Sequence, residues 1–544
     1  YVPSSQPGIH YDLTWEGDVS PSLRASDDVA RGAAGSIDED AASPYAMAVG
    51  AADASNSNPC QLDGSSATTG RPLELYSSQG PTIDGRYKPD ILGYDGTASS
   101  VYGGAFCGTS AAAPHVAGAA ALLAQADPSL DASQLEDALE QRADHGSPIN
   151  PADNALGHGV LTLGNPADGV TAASGSGFTP LPSPVRVLDT RNGTGTGGHV
   201  APIAAGQNIS ITIPNTVVPA GATAVAINVT GVLPAHSGPA FLGIFPGGRT
   251  YPNTSNVNLA APYDNIAAAS TIVALGPGGV VQLHAGAHNT DAVLDVTGYF
   301  TAGSGSKYTA ESTPFRAYDG RNGGGELSTD HSVVIHPNLP AGATAALINL
   351  TATGQTAPGF FNAAPTPSTS SSSLNFTPKI NRANMAIVGL AGDGTFTVSD
   401  HAGSAYPIVD VVGYFSPTGA SGFVPLASPV RIVDTRNGNG GRKASLTAGL
   451  VDSIYAGGLD GVPYSATAVV TGVTAVDHSG STFLTAYPAG ITRPNTSTVN
   501  VTANRIVPNG ATVGFGTGSS ANRLAVFNLT GSTDLIVDLF GYFG

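Results

Sequence analysis

The sequence predicts a multidomain protein in which an α/β segment is followed by three all-β modules, each a sandwich or a barrel. Three observations predict it. Charge divides the chain, because residues 1–170 hold 22 acidic and 6 basic side chains whereas 171–544 hold 17 and 15. One set of motifs returns three times after the divide. Apolar residues recur at helical spacing only before it, and after it the chain reads as short β-branched runs between Pro, Gly and Asn clusters.

Size and composition set the frame. At roughly 100 to 200 residues per domain, 544 residues argue against one compact core. Charged residues make up 11% of the chain, against about 25% in an ordinary soluble domain. Lysine occurs only at Lys88, Lys307, Lys379 and Lys443, so small polar side chains must cover the surface. With 41% apolar residues the chain is not disordered by composition, and a net charge of −18 argues against binding a nucleic-acid backbone. The most apolar helical stretch, Val116 to Ala126, is too short to span a bilayer. Neither end carries a basic, then apolar, then small-residue signal, so any export signal is expected to have been removed or to lie outside this sequence.

In the first segment, residues 1–170, Tyr45-Ala-Met-Ala-Val-Gly50 reads as a buried strand. Gly118 to Gln125 and its approach read as a helix of small residues packed deep in a core. Between Ser133 and Arg142, Leu135, Ala138 and Leu139 recur at helical spacing behind a capping box of Ser133 and Glu136. Cys60 and Cys107 are the chain's two cysteines. In an oxidising compartment a bridge between them closes about 48 residues and stabilises by roughly 4 kcal/mol on the entropic account. That disulfide is the expectation, and two buried free thiols are the alternative.

Thr171-Ala-Ala-Ser-Gly-Ser-Gly177 reads as a flexible linker. Beyond it, Phe178-Thr-Pro-Leu-Pro-Ser-Pro-Val-Arg-Val-Leu-Asp-Thr-Arg-Asn-Gly193 returns as Phe423-Val-Pro-Leu-Ala-Ser-Pro-Val-Arg-Ile-Val-Asp-Thr-Arg-Asn-Gly438, with a degenerate copy from Pro314 to Gly323. The copies end alike, in Val293-Leu-Asp-Val-Thr-Gly-Tyr-Phe300, Ile408-Val-Asp-Val-Val-Gly-Tyr-Phe415 and Ile536-Val-Asp-Leu-Phe-Gly-Tyr-Phe543. Their middles match as well, in Arg249-Thr-Tyr-Pro-Asn-Thr-Ser255 and Ile491-Thr-Arg-Pro-Asn-Thr-Ser497. The modules are therefore set at 178–301, 307–416 and 422–544. Short connections at 301–306 and 416–421 point to a string of separate domains rather than a pseudo-threefold body. Asn228 to Thr230 and Asn349 to Thr351 fall inside expected strands and read as β pattern, not as glycan acceptors.

The strongest chemical signal is Gly108-Thr-Ser-Ala-Ala-Ala-Pro-His-Val-Ala-Gly118. Thr109 can cap a helix whose first turn starts at Ser110, which puts a hydroxyl beside unpaired N–H groups and the positive end of the helix dipole. An oxyanion forming next to Ser110 Oγ would be stabilised there. On spacing alone a serine at a helix start is ordinarily only a cap. The segment, however, resembles the nucleophile motif of the subtilisin-like serine peptidases (subtilases), Gly-Thr-Ser-x-Ala-x-Pro-His-Val-Ala-Gly. Upstream, Tyr76 to Ile91 resembles that family's strand and turn before the nucleophile, Ser43 to Ala51 its preceding core strand, and Asp153 to Gly159 its closing turn.

The resemblance covers residues 1 to about 165 and implies the second half of an α/β subtilase domain, with Ser110 as nucleophile and protein or peptide as substrate. The family's Asp-Ser/Thr-Gly, His-Gly-Thr and Ala-x-Gly-Asn motifs have no counterpart in this sequence. His10 has no Gly-Thr partner and reads as a surface or strand residue, and His115 is structural by resemblance. An earlier half, docked as a separate fragment or lying before Tyr1, is therefore expected, because half a sheet leaves an apolar edge and face open. No cofactor is implied, and for a structural calcium ion the sequence assigns no ligands.

In the modules, Asp189 and Arg191, Asp319 and Arg321, and Asp434 and Arg436 recur two residues apart, most simply as internal ion pairs in a turn, with a shared ligand site as the sharper alternative. Asp295, Asp410 and Asp538 lie among strand apolars and want partners, which arginines of the opening motif could supply. The modules resemble repeats found C-terminally in secreted actinobacterial peptidases and cell-wall amidases. That implies an extracellular protein attached to cell-wall polysaccharide or a surface protein. The alternative is a non-enzymatic surface protein, a cell-wall lectin or an oligomeric fibre element built on a peptidase-derived scaffold.

Overall fold

The structure is a computed structural model. It describes residues 37, 41–43, 46–53, 73–74, 76–82, 88–99, 101, 104–126, 132–140, 142–144 and 154–161, and 175–544 except 235–236, 262–263, 368–370, 458–460, 464 and 504. Two compact units divide it, Tyr1–Thr171 and Ala172–Gly544.

The first unit contains β1 (Val49–Asp53), β2 (Ile91–Asp95), a hairpin of β3 (Thr97–Ser99) and β4 (Gly104–Phe106), the helices α1 (Thr109–Ala126) and α2 (Ala132–Glu140), and the short strands β5 (Ala143–Asp144) and β6 (Val160–Leu161). Its main sheet runs β1-β2-β6-β5, with β1, β2 and β6 parallel. The strand expected at 45–50 forms later, because residues 46–48 are held from outside the ladder: Lys88 Nζ donates to Ala46 O, and the Ala48 N–H donates to Asp90.

One face of α1 is buried through Ala111, Ala112, Val116, Ala119 and Leu123, with Ile91 of β2 in the same apolar cluster. Gly93 makes the close approach: a Cβ there would lie 2.5 Å from the Ala112 carbonyl oxygen. The opposite face, Ala113, Pro114, His115, Ala117, Gly118, Ala121 and Leu122, is exposed, Leu122 by 56%. The expectation of a helix packed deep in a core is thus corrected to a helix covered on one side. For α2, helical from Ala132, the Ser133 side chain of the expected capping box lies outside the described residues.

The second unit is all β, with six main sheets, two to a module, in a propeller-like arrangement. The first module's inner sheet orders its strands 266–274, 222–232, 291–301, 177–189, and its outer sheet 257–259, 240–246, 280–286, 207–212. The other two modules repeat both orders, and each module closes an apolar core between its two sheets, so each is a sandwich. The glycine of each Gly-Tyr-Phe ending has a steric reason. It lies beneath the aromatic ring that opens its module, and a Cβ on Gly298, Gly413 or Gly541 would come within 2.2–2.5 Å of Phe178, Tyr308 or Phe423.

The modules are not a string. Their opening and closing aromatics form one closed ring of six side chains, each at most 1% exposed. Successive centroids along Phe178, Phe300, Phe423, Phe543, Tyr308, Phe415 and back to Phe178 lie 4.3–5.3 Å apart. Backbone bridges close the same circle, Phe178 with Ser306, Tyr308 with Ser421 and Phe423 with Ser176, through N–H···O bonds of 2.7–3.0 Å. The connections expected to be spacers are therefore paired β structure. The physical reason is that the inner sheets bury both faces: residues 345–352 and 468–476 are buried without interruption, the mark of a sheet with a layer on either side.

Polar contacts fix the register of the circle. Asn384 Nδ2 donates to Asn228 Oδ1 at 3.0 Å and Asn509 Nδ2 to Asn349 Oδ1 at 2.9 Å, each between modules. The two matching Pro-Asn-Thr-Ser middles are docking loops: Asn253 O accepts from Arg431, and Ser497 N donates to Asp410. Asp264 of the first module pairs with Arg382 of the second and Arg505 of the third.

Candidate functional site

Ser110 is the second residue of α1 and is exposed. Helix initiation differs by one residue from the expectation. The Gly108 carbonyl accepts from the Ala111 and Ala112 N–H groups, so Gly108, at φ +108°, occupies the capping position in place of Thr109. Pro114 has no N–H for the Ser110 carbonyl four residues earlier, which loosens the first turn on that side. Its free N–H groups and the dipole's positive end remain beside Ser110.

Behind this turn lies a residue that motif reasoning missed. Asp95 ends β2, is 0% exposed, and accepts through Oδ2 from the Gly108 N–H at 2.8 Å and from the Tyr76 hydroxyl. Its Oδ1 has no hydrogen-bond partner among the described residues. The pairing raises the Tyr76 phenol well above its ordinary range, through burial first and the Asp95 hydrogen bond second. The signal in the sequence was an acid closing the otherwise uncharged strand Ile-Leu-Gly-Tyr-Asp95.

Cys107, just before the turn, is disulfide-bonded. Cys60, the chain's other cysteine, and His10 lie outside the described residues. His115 is exposed on α1, which does not fit the structural role expected of it. Among the described residues no hydrogen bond joins Ser110 to a histidine or a carboxylate.

A second polar cluster sits where β2, α2 and the 154–159 turn meet. Oxygens of Asp90, Glu136 and Glu140 come within 4.8 Å of one another, a spacing that could hold a cation. Two basic side chains of the protein already serve it, Lys88 on Asp90 at 2.5 Å and His158 on Glu140 at 3.3 Å. Burial followed by the neighbouring Glu140 and Asp90 charges raises Glu136. Burial, the largest single influence, works to lower His158, but the hydrogen bond and charge of Glu140 together with the contacts to Asp90 outweigh it and raise it overall.

In the β unit the paired motif residues meet as ion pairs. Arg191, Arg321 and Arg436 each bond both oxygens of Asp189, Asp319 and Asp434, at 2.6–2.9 Å, with the arginines 42–48% exposed. The buried closing-strand acids take a different arginine, one that the spacing argument did not single out. Arg186 clasps Asp295, Arg316 clasps Asp410 and Arg431 clasps Asp538, again through two hydrogen bonds each. Each of these arginines stands three residues before the motif Asp, a repeated position visible in all three copies. The Arg191-type hydrogen bonds hold the motif carboxyls below the usual range, whereas burial lifts Asp295, Asp410 and Asp538 above it despite their arginines. The degenerate second copy keeps both pairs. No described helix is long and apolar enough to cross a membrane.

Comparison with known proteins bears on the first unit. The chain is 31% identical over 169 residues to bacillopeptidase F of Bacillus subtilis (strain 168), a match covering 29% of this chain and 11% of that protein. The chain thus spans a small part of that relative's length. Among solved structures, the CBM22-1-CBM22-2 tandem domain of Paenibacillus barcinonensis Xyn10C is 13% identical, covers 46% of this chain and 96% of its own, and has a TM-score of 0.15. Tripeptidyl peptidase 2 is 12% identical, with 92% of this chain and 43% of its own covered, and a TM-score of 0.16. Likenesses at those scores carry no argument. Residues 24–159 match the family model Peptidase_S8, Subtilase family, and this segment holds Ser110.

Proposed function

We propose that the chain belongs to an exported subtilisin-like serine endopeptidase whose β unit anchors or targets it at a cell surface, on polysaccharide or a surface protein. One observation carries the reading: the Gly-Thr-Ser motif folds as a helix start that leaves Ser110 exposed beside free backbone N–H groups. Ser110 Oγ attacks a peptide carbonyl, the oxyanion meets the N-terminal turn of α1, and an acyl-enzyme on Ser110 is released by water. The base comes from polypeptide beyond the described residues. The uncovered face of α1 is where the remaining layers of such a domain, contributed by an earlier half, would pack. A disulfide between Cys60 and Cys107 ties this region down before the serine turn.

A fluorophosphonate reagent tests the reading on purified full-length protein. Labelling of Ser110, lost in Ser110→Ala together with peptide hydrolysis while surface binding persists, supports it. Protein shown to carry the family's Asp, His and Asn motifs yet inert to the reagent overturns it. The lack of a hydrogen-bonded base or acid at Ser110 among the described residues favours a second reading. In it the peptidase-like unit is a scaffold, and the three-module ring does the work as a multivalent surface binder or fibre element.

A further inference from the structure

The three modules differ at one buried position, and the difference has chemical content. Asn528 in the third module and Asp400 in the second occupy the same place. Each N–H donates to the strand before it, Asn528 to Leu450 O and Asp400 to His331 O, and each carbonyl accepts from a residue of positive φ, Gly449 or Asp330. The flanking strands match too, since Leu446–Thr447 pairs with Ser532–Thr533 as Leu327–Ser328 pairs with Ser404–Ala405. In the first module Ala285 accepts from Gly206 at the corresponding site, and nothing polar is needed.

Asn528 works as a double donor. Its Nδ2 donates to Leu446 O at 2.8 Å and Gly531 O at 3.2 Å, tying the two loops that flank it, while its Oδ1 accepts from Thr482. Asp400 has the same burial, 0% exposed in both cases, but carries an oxygen where the amide has its NH2. Oδ1 accepts from the Ala402 N–H at 3.0 Å, and Oδ2 has no partner among the described residues. The carbonyls that correspond to the amide's acceptors are Leu327 O and Gly403 O. An ionised carboxylate has nothing to offer them, whereas a protonated one has one O–H to donate.

We propose that Asp400 is a pH-sensitive lock in the second module, whose neutral carboxyl ties the loops at 327–331 and 401–404 as the Asn528 amide ties theirs, and whose ionisation releases them. The charged groups around it agree. Burial pushes the Asp400 carboxyl up to about 6, Glu326 and Asp330 push the same way, and the Ala402 N–H and His401 pull against them. His331, whose carbonyl holds the Asp400 N–H, turns its own Nδ1 to Ser328 and Thr329. The sign follows from linkage. A carboxyl whose folded pKa lies above the ordinary 3.8 contributes stability that is complete below that value and is lost as pH rises through about 6.

Asp400→Asn fixes the locked form and tests this in the full chain. The ratio of unfolding constants, wild type over variant, should rise on the order of a hundredfold between pH 4 and pH 7.5, the lever set by a shift from 3.8 to about 6. Hydrogen exchange, corrected for its intrinsic pH dependence, should show residues 327–331 and 401–404 loosening at pH 7.5 in wild type and not in the variant. Asn528→Asp should install the same behaviour in the third module. A ratio that stays flat with pH, or an Asp400→Asn protein less stable than wild type at pH 7.5, overturns the proposal.

Discussion

The serine-bearing unit and the β unit both bury carboxylates, and they satisfy them differently. Each closing-strand acid of the ring is clasped at two points by an arginine of its own module, three times over. Asp95 beside Ser110 has two neutral donors on one oxygen and none among the described residues on the other. An acid clasped by arginine is a structural pin, costly to break but indifferent to chemistry. A half-satisfied acid behind an exposed serine is a cost that stability alone does not repay, the pattern of a group retained to position another.

The largest effect should come from the pins. Arg316→Ala leaves Asp410, 0% exposed, without its clasp, and should destabilise by about 3–5 kcal/mol, read as a fall in denaturant midpoint. Because the aromatic circle joins the modules, the loss should move one cooperative transition of the whole β unit. A variant in which only a third of the signal shifts would break the ring and restore the string of domains.

Next is Asp95. If it positions the turn, Asp95→Ala should slow fluorophosphonate labelling of Ser110 by roughly a hundredfold, the order that a misplacement of about 1 Å costs. Asp95→Asn keeps an acceptor for the Gly108 N–H and should stay within about threefold of wild type. Equal losses in both variants would make the carboxylate's charge, not its geometry, the relevant property. No loss in either would place Asp95 with the pins.

These two regions also show what a sequence exposes. The repeats made the strands and the Arg191-type pairs legible, because a motif present three times reports its own constraints. Arg186, Arg316 and Arg431 were as regular, but their partners lie some hundred residues away on the closing strand, where spacing is silent. The ring was not legible: Ala345–Ala352 is buried without interruption, but Asn349 and Thr351 break its apolar pattern in the sequence, and the short connections looked like spacers. Ser110 was singled out through its motif. Asp95 escaped because its partners, Tyr76 and Gly108, become neighbours only when the chain folds.

A smaller effect separates the units by pH. Against burial, Glu140 and Asp90 together raise His158 overall, so its contribution to the first unit is complete below its ordinary 6.5 and is lost as pH rises through the raised value. Exchange protection of residues 132–140 should fall across that window, and Glu140→Gln should flatten the fall. Protection that instead rises with pH would mean that His158 is bound neutral.

The smallest effect belongs to the outer pair. Arg191→Ala removes a bidentate bond to a buried acid, which by itself resembles the loss at Arg316. Two things set it apart. Arg191 is 46% exposed, so solvent screens the pair, and Asp189 keeps Arg186 Nη1 at 3.4 Å and its own bond from the residue 191 backbone N–H. The loss should therefore be no more than about 1 kcal/mol. It should appear at neutral pH and vanish on acidification, since Asp189 lies below the ordinary carboxylate range and its stabilising charge is lost as pH falls through that lowered value. A loss as large as that of Arg316→Ala would show that the exposed arginine is a pin in its own right, equal to the inner clasp.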